Sequence, residues 1–272
     1  MRYGFIVPGG SVHDRVAMAA EAEAVGWDGI FVWEGVYHLD AWACLAAMAV
    51  KTERIKLGTM LTPLPRRLPW EVAAQAVTVD QLSNGRVILA VGLGVIEPEH
   101  LGDVNQERDR KVRAEQLDEA LAVLDGLWSG EVFDFDGQHF KVHSPAGPKP
   151  VQQPRIPVWV VGRWPAPKSM RRAARWDGLV PEVPKPDGDG FGLVQADDVR
   201  RMLAFVAEHR DEAAATHPYD VVVDGQTPGD DPAATSRRLR NLAAAGCTWW
   251  LEADWQGSEE NVWARLRQGP PR

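Results

Sequence analysis

The chain has 272 residues, 45% of them hydrophobic and 25% charged, with a formal net charge of −8. That acidic balance argues against a nucleic-acid partner or an anionic membrane surface. No apolar run reaches the ~18 residues that a bilayer span needs, and the N-terminus MRYGFIV has no signal-peptide layout, so a cytoplasmic protein is expected. The length suits either two small domains or one (β/α) barrel of about 250 residues.

In chain order, Tyr3 to Val7 reads as a first strand closed by Pro8-Gly9-Gly10. Ser11 caps a helix whose buried stripe is expected at Val12, Val16, Ala19, Ala20 and Ala24, since a side-chain oxygen can take up a first-turn N–H. Gly29 to Trp33 is a second strand, and Asp40 caps the apolar helix Ala41 to Val50. Ile55 to Gly58 is the third strand; the prolines at 63, 65 and 69 exclude a helix over Thr59 to Pro69, because proline lacks a donor and restricts its predecessor. Pro69 then opens a helix that Ser83-Asn84-Gly85 stops. Val87 to Val91 is a continuous apolar run, as in a parallel strand covered on both faces. It ends at Gly92-Leu93-Gly94, where backbone can approach a ligand closely.

A long helix over Asp109 to Leu127 follows, then a hairpin from Val132 to Val142 turning at Asp136-Gly137. Prolines at 145, 148, 150, 154 and 157 make an extended connector. The rhythm resumes with strands over Val158–Val161, Asp177–Pro181, Tyr219–Val223 and Thr248–Glu252. Helices over Pro167–Arg175, Ala196–Ala215, Asp231–Ala245 and Ser258–Leu266 alternate with them. Parallel strands joined by helical crossovers predict a (β/α)8 TIM-type barrel, residues 1–272 in one domain, with a short hairpin excursion between the fourth helix and fifth strand. A doubly wound sheet would show G-x-G-x-x-G after the first strand, which Val7-Pro8-Gly9-Gly10-Ser11-Val12 does not supply.

Barrel chemistry sits at the carboxyl ends of the strands. Those positions hold the carboxylates Glu34, Glu97, Glu182 and Glu252 and the loop histidine His38, but no cluster with metal-ligand spacing, so no metal is expected. Gly162 and Arg163, followed by Ser169, Arg171 and Arg172, form a candidate phosphate cradle of strand-end glycine, cation and helix N-terminus. Trp33, Met60 and Leu61 can wall a flat ring or simply fill the core, as most of the twelve tryptophans are expected to do. Cys44 and Cys247 lie far apart in apolar segments and read as buried free thiols.

With these residues in view, the sequence resembles the bacterial luciferase-like flavin-dependent oxidoreductases over almost its whole length. The resemblance is carried by Ala22-Glu23-Ala24-Val25-Gly26-Trp27-Asp28, Thr52 to Thr59, Thr62 to Arg67 and Leu82-Ser83-Asn84-Gly85-Arg86. Val91 to Gly94, Arg113-Ala114-Glu115, Leu127 to Gly130 and Arg171 to Gly178 continue it. It implies a barrel that binds FMN or, in a related branch, the 8-hydroxy-5-deazaflavin coenzyme. It also implies a non-proline cis peptide near Thr59–Met60 behind the ring, with Thr62 close by and Gly92 and Gly94 on the fourth strand. Of the glycine pair that meets the phosphate, Gly162 remains and Arg163 replaces the second, leaving Ser169 as the next candidate. Relatives follow the second strand with an acid and a catalytic histidine; here Glu34 matches the acid, Gly35 stands at the histidine position, and His38 is the nearest substitute.

The expected activity is monooxygenation of a small organic substrate with reduced FMN and oxygen, the flavin being reduced by a separate reductase or NAD(P)H. The alternatives are deazaflavin-dependent hydride transfer and a non-catalytic flavin-binding barrel. The loops Glu97–Arg108 and Pro184–Gly192 are candidate lids, and the alanine- and leucine-rich helix faces suggest a homodimer.

Overall fold

The computed structural model describes residues 1–95, 106–185, 190–211, 217–227 and 232–271. Its elements follow one another as β1 (Arg2–Val7), α1 (Val12–Ala24), β2 (Gly29–Val32), α2 (Ala41–Lys51), β3 (Lys56–Pro63), α3 (Pro69–Ser83) and β4 (Val87–Gly92). Then come α4 (Arg110–Trp128), β5 (Phe133–Asp136), β6 (Lys141–Ser144), β7 (Val158–Arg163), α5 (Pro167–Ala174) and β8 (Gly178–Pro184). The two-residue β9 (Phe191–Gly192), α6 (Ala196–His209), β10 (Asp220–Gly225), α7 (Pro232–Ala244), β11 (Trp249–Glu252) and α8 (Glu259–Arg267) complete the series. Among the described residues no helix is long and apolar enough to cross a membrane. The chain falls into two compact units: Met1–Phe31 with Val158–Arg272, and Val32–Pro157.

In the first unit β7, β8, β10, β11 and β1 pair side by side, all parallel, through Trp159↔Gly178, Asp220↔Gly178, Val222↔Trp249 and Arg2↔Trp249. Side chains alternate across such strands. One face carries Trp249, packed on Trp159 at 5.4 Å and on Phe31 at 6.0 Å between ring centroids. The other face carries Val221, Val223 and Trp250, buried against Leu239 and Leu242 of α7 and Val199 of α6. β9 is antiparallel to β8. Helix α1 keeps the Ser11 cap, with a reciprocal Asp14 bond, but its buried stripe is Arg15, Met18, Ala19 and Ala22. Val12, in the first turn, is exposed at 41%. The expected stripe was out of phase because it took the valines as anchors. The stem of Arg15 takes the inward place instead, its Nε reaching Gly10 O at 3.4 Å.

In the second unit β3 and β4 pair in parallel, with a register shift between Thr59 and Thr62. The strand runs on to Pro63, and Leu64–Arg66 forms a 3-10 turn with Pro65 inside it. The segment expected to be a loop is therefore partly strand and partly helical. Proline is admissible there because a first-turn N–H has no partner to lose. Asn84 adopts a left-handed conformation at φ 56°, ending α3 where the sequence placed the stop.

Polar anchors hold this unit. The Asp80 carboxylate accepts from the N–H groups of Val151 and Gln152 at 2.7 and 3.1 Å, fixing the proline-rich connector to α3. Glu119 accepts from the N–H groups of Gln138, His139 and Phe140, holding the hairpin turn on α4. Arg86 sends five bonds of 2.7–2.9 Å to Ser83 O, Thr52 Oγ1, Ile55 O, Ala49 O and Thr52 O, tying the carboxyl ends of α2 and α3 together. Arg86→Met strips those buried acceptors of their donor and is expected to cost about 3 kcal/mol. Urea unfolding measures it, and a loss under about 1 kcal/mol would mean that water replaces the guanidinium.

Both cysteines are buried and unbridged, and burial pushes the Cys247 thiol up to about 11. A thiol so raised offers almost no thiolate near neutrality. Iodoacetamide at pH 8 should label native protein only as fast as it unfolds; a fast native phase would contradict this burial.

Candidate functional site

The second unit gathers its polar side chains around Glu34, at the carboxyl end of β2. The Glu34 side chain is 7% exposed and pairs with Arg67, Nη1 to Oε2 at 2.9 Å. Its other oxygen accepts from Trp42 Nε1 at 3.0 Å and from the Thr62 hydroxyl at 2.6 Å. Thr62 Oγ1 lies 3.1 Å from Thr59 Oγ1, and the Thr59 hydroxyl donates to Ala90 O at 3.1 Å. A polar chain thus runs from Glu34 through β3 to β4. Arg67 is steadied by Gln75, its Nη2 donating to Oε1 at 2.6 Å. With both oxygens engaged, Glu34 is an anion fixed in place, suited to positioning Thr62 and Arg67.

The non-proline cis peptide is Met60–Leu61, one residue beyond the position inferred from the sequence. It falls within the register shift flanked by Thr59 and Thr62. Met60 is 9% exposed there. Gly92 pairs with Pro63 at the strand ends. Gly94 has φ 75°, and a Cβ on it would lie 2.5 Å from Pro63 Cβ, so both its conformation and its close packing require glycine.

His38 is exposed, and its ring packs against Trp33, tilted by 40° at 4.3 Å between centroids. A Cβ at Gly35 would stand 3.0 Å from His38 Cβ and 3.1 Å from the Trp33 ring. Gly35 is thus the residue that leaves room for His38 to fold back on Trp33.

Sequence reasoning assigned no role to the neighbouring arginines. Arg66 donates from Nη2 to Glu34 O at 3.2 Å, while its Nε and Nη1 are buried without an acceptor. Burial pushes its guanidinium below the ordinary range, against the attraction of Glu34. Arg113, fully buried, donates through Nε and Nη2 to Leu93 O and through Nη1 to Glu107 O and Gln106 Oε1. Arginine pairs are ambiguous in a sequence, since a solvated face gives the same pattern.

In the first unit, Arg163 N donates to Ser169 Oγ at 3.0 Å, so β7 and the first turn of α5 are joined by that hydroxyl. The cap residue Ala166 offers no side-chain oxygen to the opening turn of α5. Arg163 is exposed. Gly162 serves packing: a Cβ there would meet Leu179 Cδ1 at 2.3 Å and Met170 Sδ at 2.9 Å.

Glu252, at the end of β11, is 2% exposed and fully engaged. It accepts from Thr227 N at 2.8 Å, the Thr227 hydroxyl at 2.6 Å, Trp250 Nε1 at 3.1 Å and Arg265 Nη2 at 3.3 Å. Asp224, a strand-end position that the sequence offers without a role, shares its sheet face with Leu251 through their register. Burial pushes its carboxyl up, opposed by Arg238. Its signal was the alternation in Val221-Val222-Val223-Asp224, which puts the acid on the face of Val222. Glu97 and most of the two candidate lids, residues 96–105 and 186–189, lie outside the described residues. Among the described residues no three His, Cys, Asp or Glu side chains group as metal ligands.

Residues 3–265 match the protein family described as luciferase-like monooxygenase. A relative from Amycolatopsis mediterranei, named F420-dependent glucose-6-phosphate dehydrogenase, is 32% identical over 187 residues. That alignment takes in 65% of this chain and 52% of the relative, so the chain spans about half the length of the protein it matches. An F420-dependent secondary alcohol dehydrogenase, solved with an F420-acetone adduct, superposes with a TM-score of 0.76 at 18% identity, covering 99% of this chain and 98% of its own. The oxygenating constituent of 3,6-diketocamphane monooxygenase from Pseudomonas putida, solved with FMN, gives 0.63 at 18% identity, covering 98% and 83%. At such identities the likeness speaks for the fold, an α/β barrel of the (β/α)8 TIM type, as the strand and helix order expected.

If Glu34 is the fixed anion described, Glu34→Gln should cost about 2 kcal/mol, less than a fully buried pair because Arg67 keeps some water. Chemical denaturation measures this. A change below about 0.5 kcal/mol would show that the pair holds nothing together.

Proposed function

This chain belongs to the luciferase-like monooxygenase family, and we propose that within it the protein is an oxidoreductase using the 8-hydroxy-5-deazaflavin coenzyme F420 to exchange hydride with a small organic substrate. The observation that carries this reading is the 32% identity, over 65% of this chain, to a dehydrogenase named for that coenzyme. The residues fit a flat ring at the carboxyl end of β3. A cis peptide and register shift interrupt the strand there, Met60 presents an apolar surface, and the Thr59 and Thr62 hydroxyls lie beside it.

When bound, the coenzyme supplies the hydride chemistry. The chain binds, orients and excludes water. Met60 and Thr62 back the ring, and Gly92 and Gly94 let the β4 backbone come close to it. Glu34, anchored by Arg67 and Trp42, keeps the Thr62 hydroxyl aimed. Taken by itself, the opening turn of α5 in the first unit, with Arg163 and Ser169, suits an anionic group, since first-turn N–H groups and a cation favour negative charge.

The second reading, monooxygenation with reduced FMN, is supported by the fold shared with the FMN-bound oxygenating constituent. It would bring in a reductase or NAD(P)H as partner. Titrating the apo-protein with each cofactor and following tryptophan fluorescence separates the two. Micromolar binding of the deazaflavin, with its reduction by substrate under argon as fast as in air, is the expected result. Tight binding of FMN alone, with oxygen-dependent turnover, would move the protein to the monooxygenase reading.

A further inference from the structure

We propose that Arg66 is an anion-recognition residue that takes a carboxylate or phosphate group carried by the substrate. The assignment to substrate rests on the oxidoreductase reading; the anion site itself does not.

Arginines of the same unit differ in how their donors are used. Arg86 is 7% exposed and spends its guanidinium on backbone and hydroxyl acceptors. Arg113, also buried, gives all three nitrogens to Leu93 O, Glu107 O and Gln106 Oε1. Those are structural arginines, with their donors filled. Among the described residues Arg66 has one side-chain bond, to Glu34 O, and two buried nitrogens with no acceptor. Leaving charged donors desolvated and unpaired costs several kcal/mol in principle, so a fold that keeps them there gains something other than stability.

Charge points the same way. Arg67 is neutralised by the Glu34 carboxylate, whereas Arg113 rests on neutral acceptors apart from the nearby charge of Glu107. Arg113 lies close enough to Arg66 to feel its charge, and Arg66 feels that of Arg67. The result is a local positive surplus in a chain whose net charge is −8. A long-range field of the whole protein would repel anions, so any anion is captured by this local arrangement. Arg66 follows β3, whose Pro63 lies opposite Gly92 of β4, at the strand ends where the fold carries its chemistry. The residue as a whole is half-buried, so a turn of its long side chain can bring Nε and Nη1 to the open side. Carboxylate or phosphate is the matching chemistry, because charge-assisted bonds to a guanidinium are the strong ones.

The test uses the full apo-chain and inorganic phosphate as probe, by calorimetry at constant ionic strength. Wild-type protein should bind phosphate saturably. Arg66→Gln should weaken binding at least tenfold, Arg66→Lys less, and the exposed control Arg54→Gln not at all. Phosphate bound equally by wild type and Arg66→Gln, or not bound by folded wild type, overturns the site. The cofactor titration is then repeated on Arg66→Gln. Unchanged cofactor affinity supports a substrate anion; a tenfold loss places the anion on the cofactor and overturns that assignment. Arg66-dependent phosphate binding by a protein that takes up neither FMN nor deazaflavin keeps the anion site and removes the oxidoreductase reading.

Discussion

A carboxylate taken out of water needs donors on both oxygens, and the strand ends of the second unit are arranged around meeting that need for Glu34. Arg67 supplies the charge, while Trp42 and Thr62 supply the remaining donors. Each donor comes from a different stretch: Trp42 from α2, Thr62 from β3, and Arg67 from the residue that follows the 3-10 turn. One buried charge therefore fixes where three segments stand. The Thr62–Thr59–Ala90 contacts carry the same constraint across to β4.

The first unit repeats the device with other residues. Glu252 draws donors from Thr227, Trp250 and Arg265 and so pins α8 to the end of β11. Within this unit the packing is supplied by large aromatics in the sheet, chiefly Trp159, Trp249 and Trp250, each fully buried. The polar clusters set direction, and the aromatics hold distance. Arg66 departs from this pattern, and that departure is why it reads as a residue kept for a ligand.

Most of the fold was legible because parallel strands covered on both faces are written as short apolar runs, and their helices begin at identifiable caps. Ser11, Asp40, Asp109 and Ser258 all accept from first-turn N–H groups. What failed was phase and extent. Arg15 buries where a charged residue is not expected, because its stem is apolar and its head finds a carbonyl. β3 runs through Pro63 because the strand pairing with Gly92 overrides the local proline signal.

The site was legible in part. Glu34, Thr59 and Thr62 stand in one hydrogen-bonded chain, but the sequence could not show that Arg67 and Trp42 complete it, since those contacts join residues 8 and 33 positions away from Glu34. Nor could a sequence show that Gly162 is small for the sake of Met170 and Leu179.

The packing of His38 against Trp33 bears on how this corner of the fold can change over generations. A side chain at position 35 and the folded-back ring at position 38 compete for one volume. A lineage carrying this arrangement cannot place a side chain at 35 by one substitution without displacing the ring already there. The two positions are therefore expected to exchange as a linked pair, with loss at 38 coming before gain at 35. A side chain at position 35 and the present His38–Trp33 packing are therefore mutually exclusive uses of one small volume.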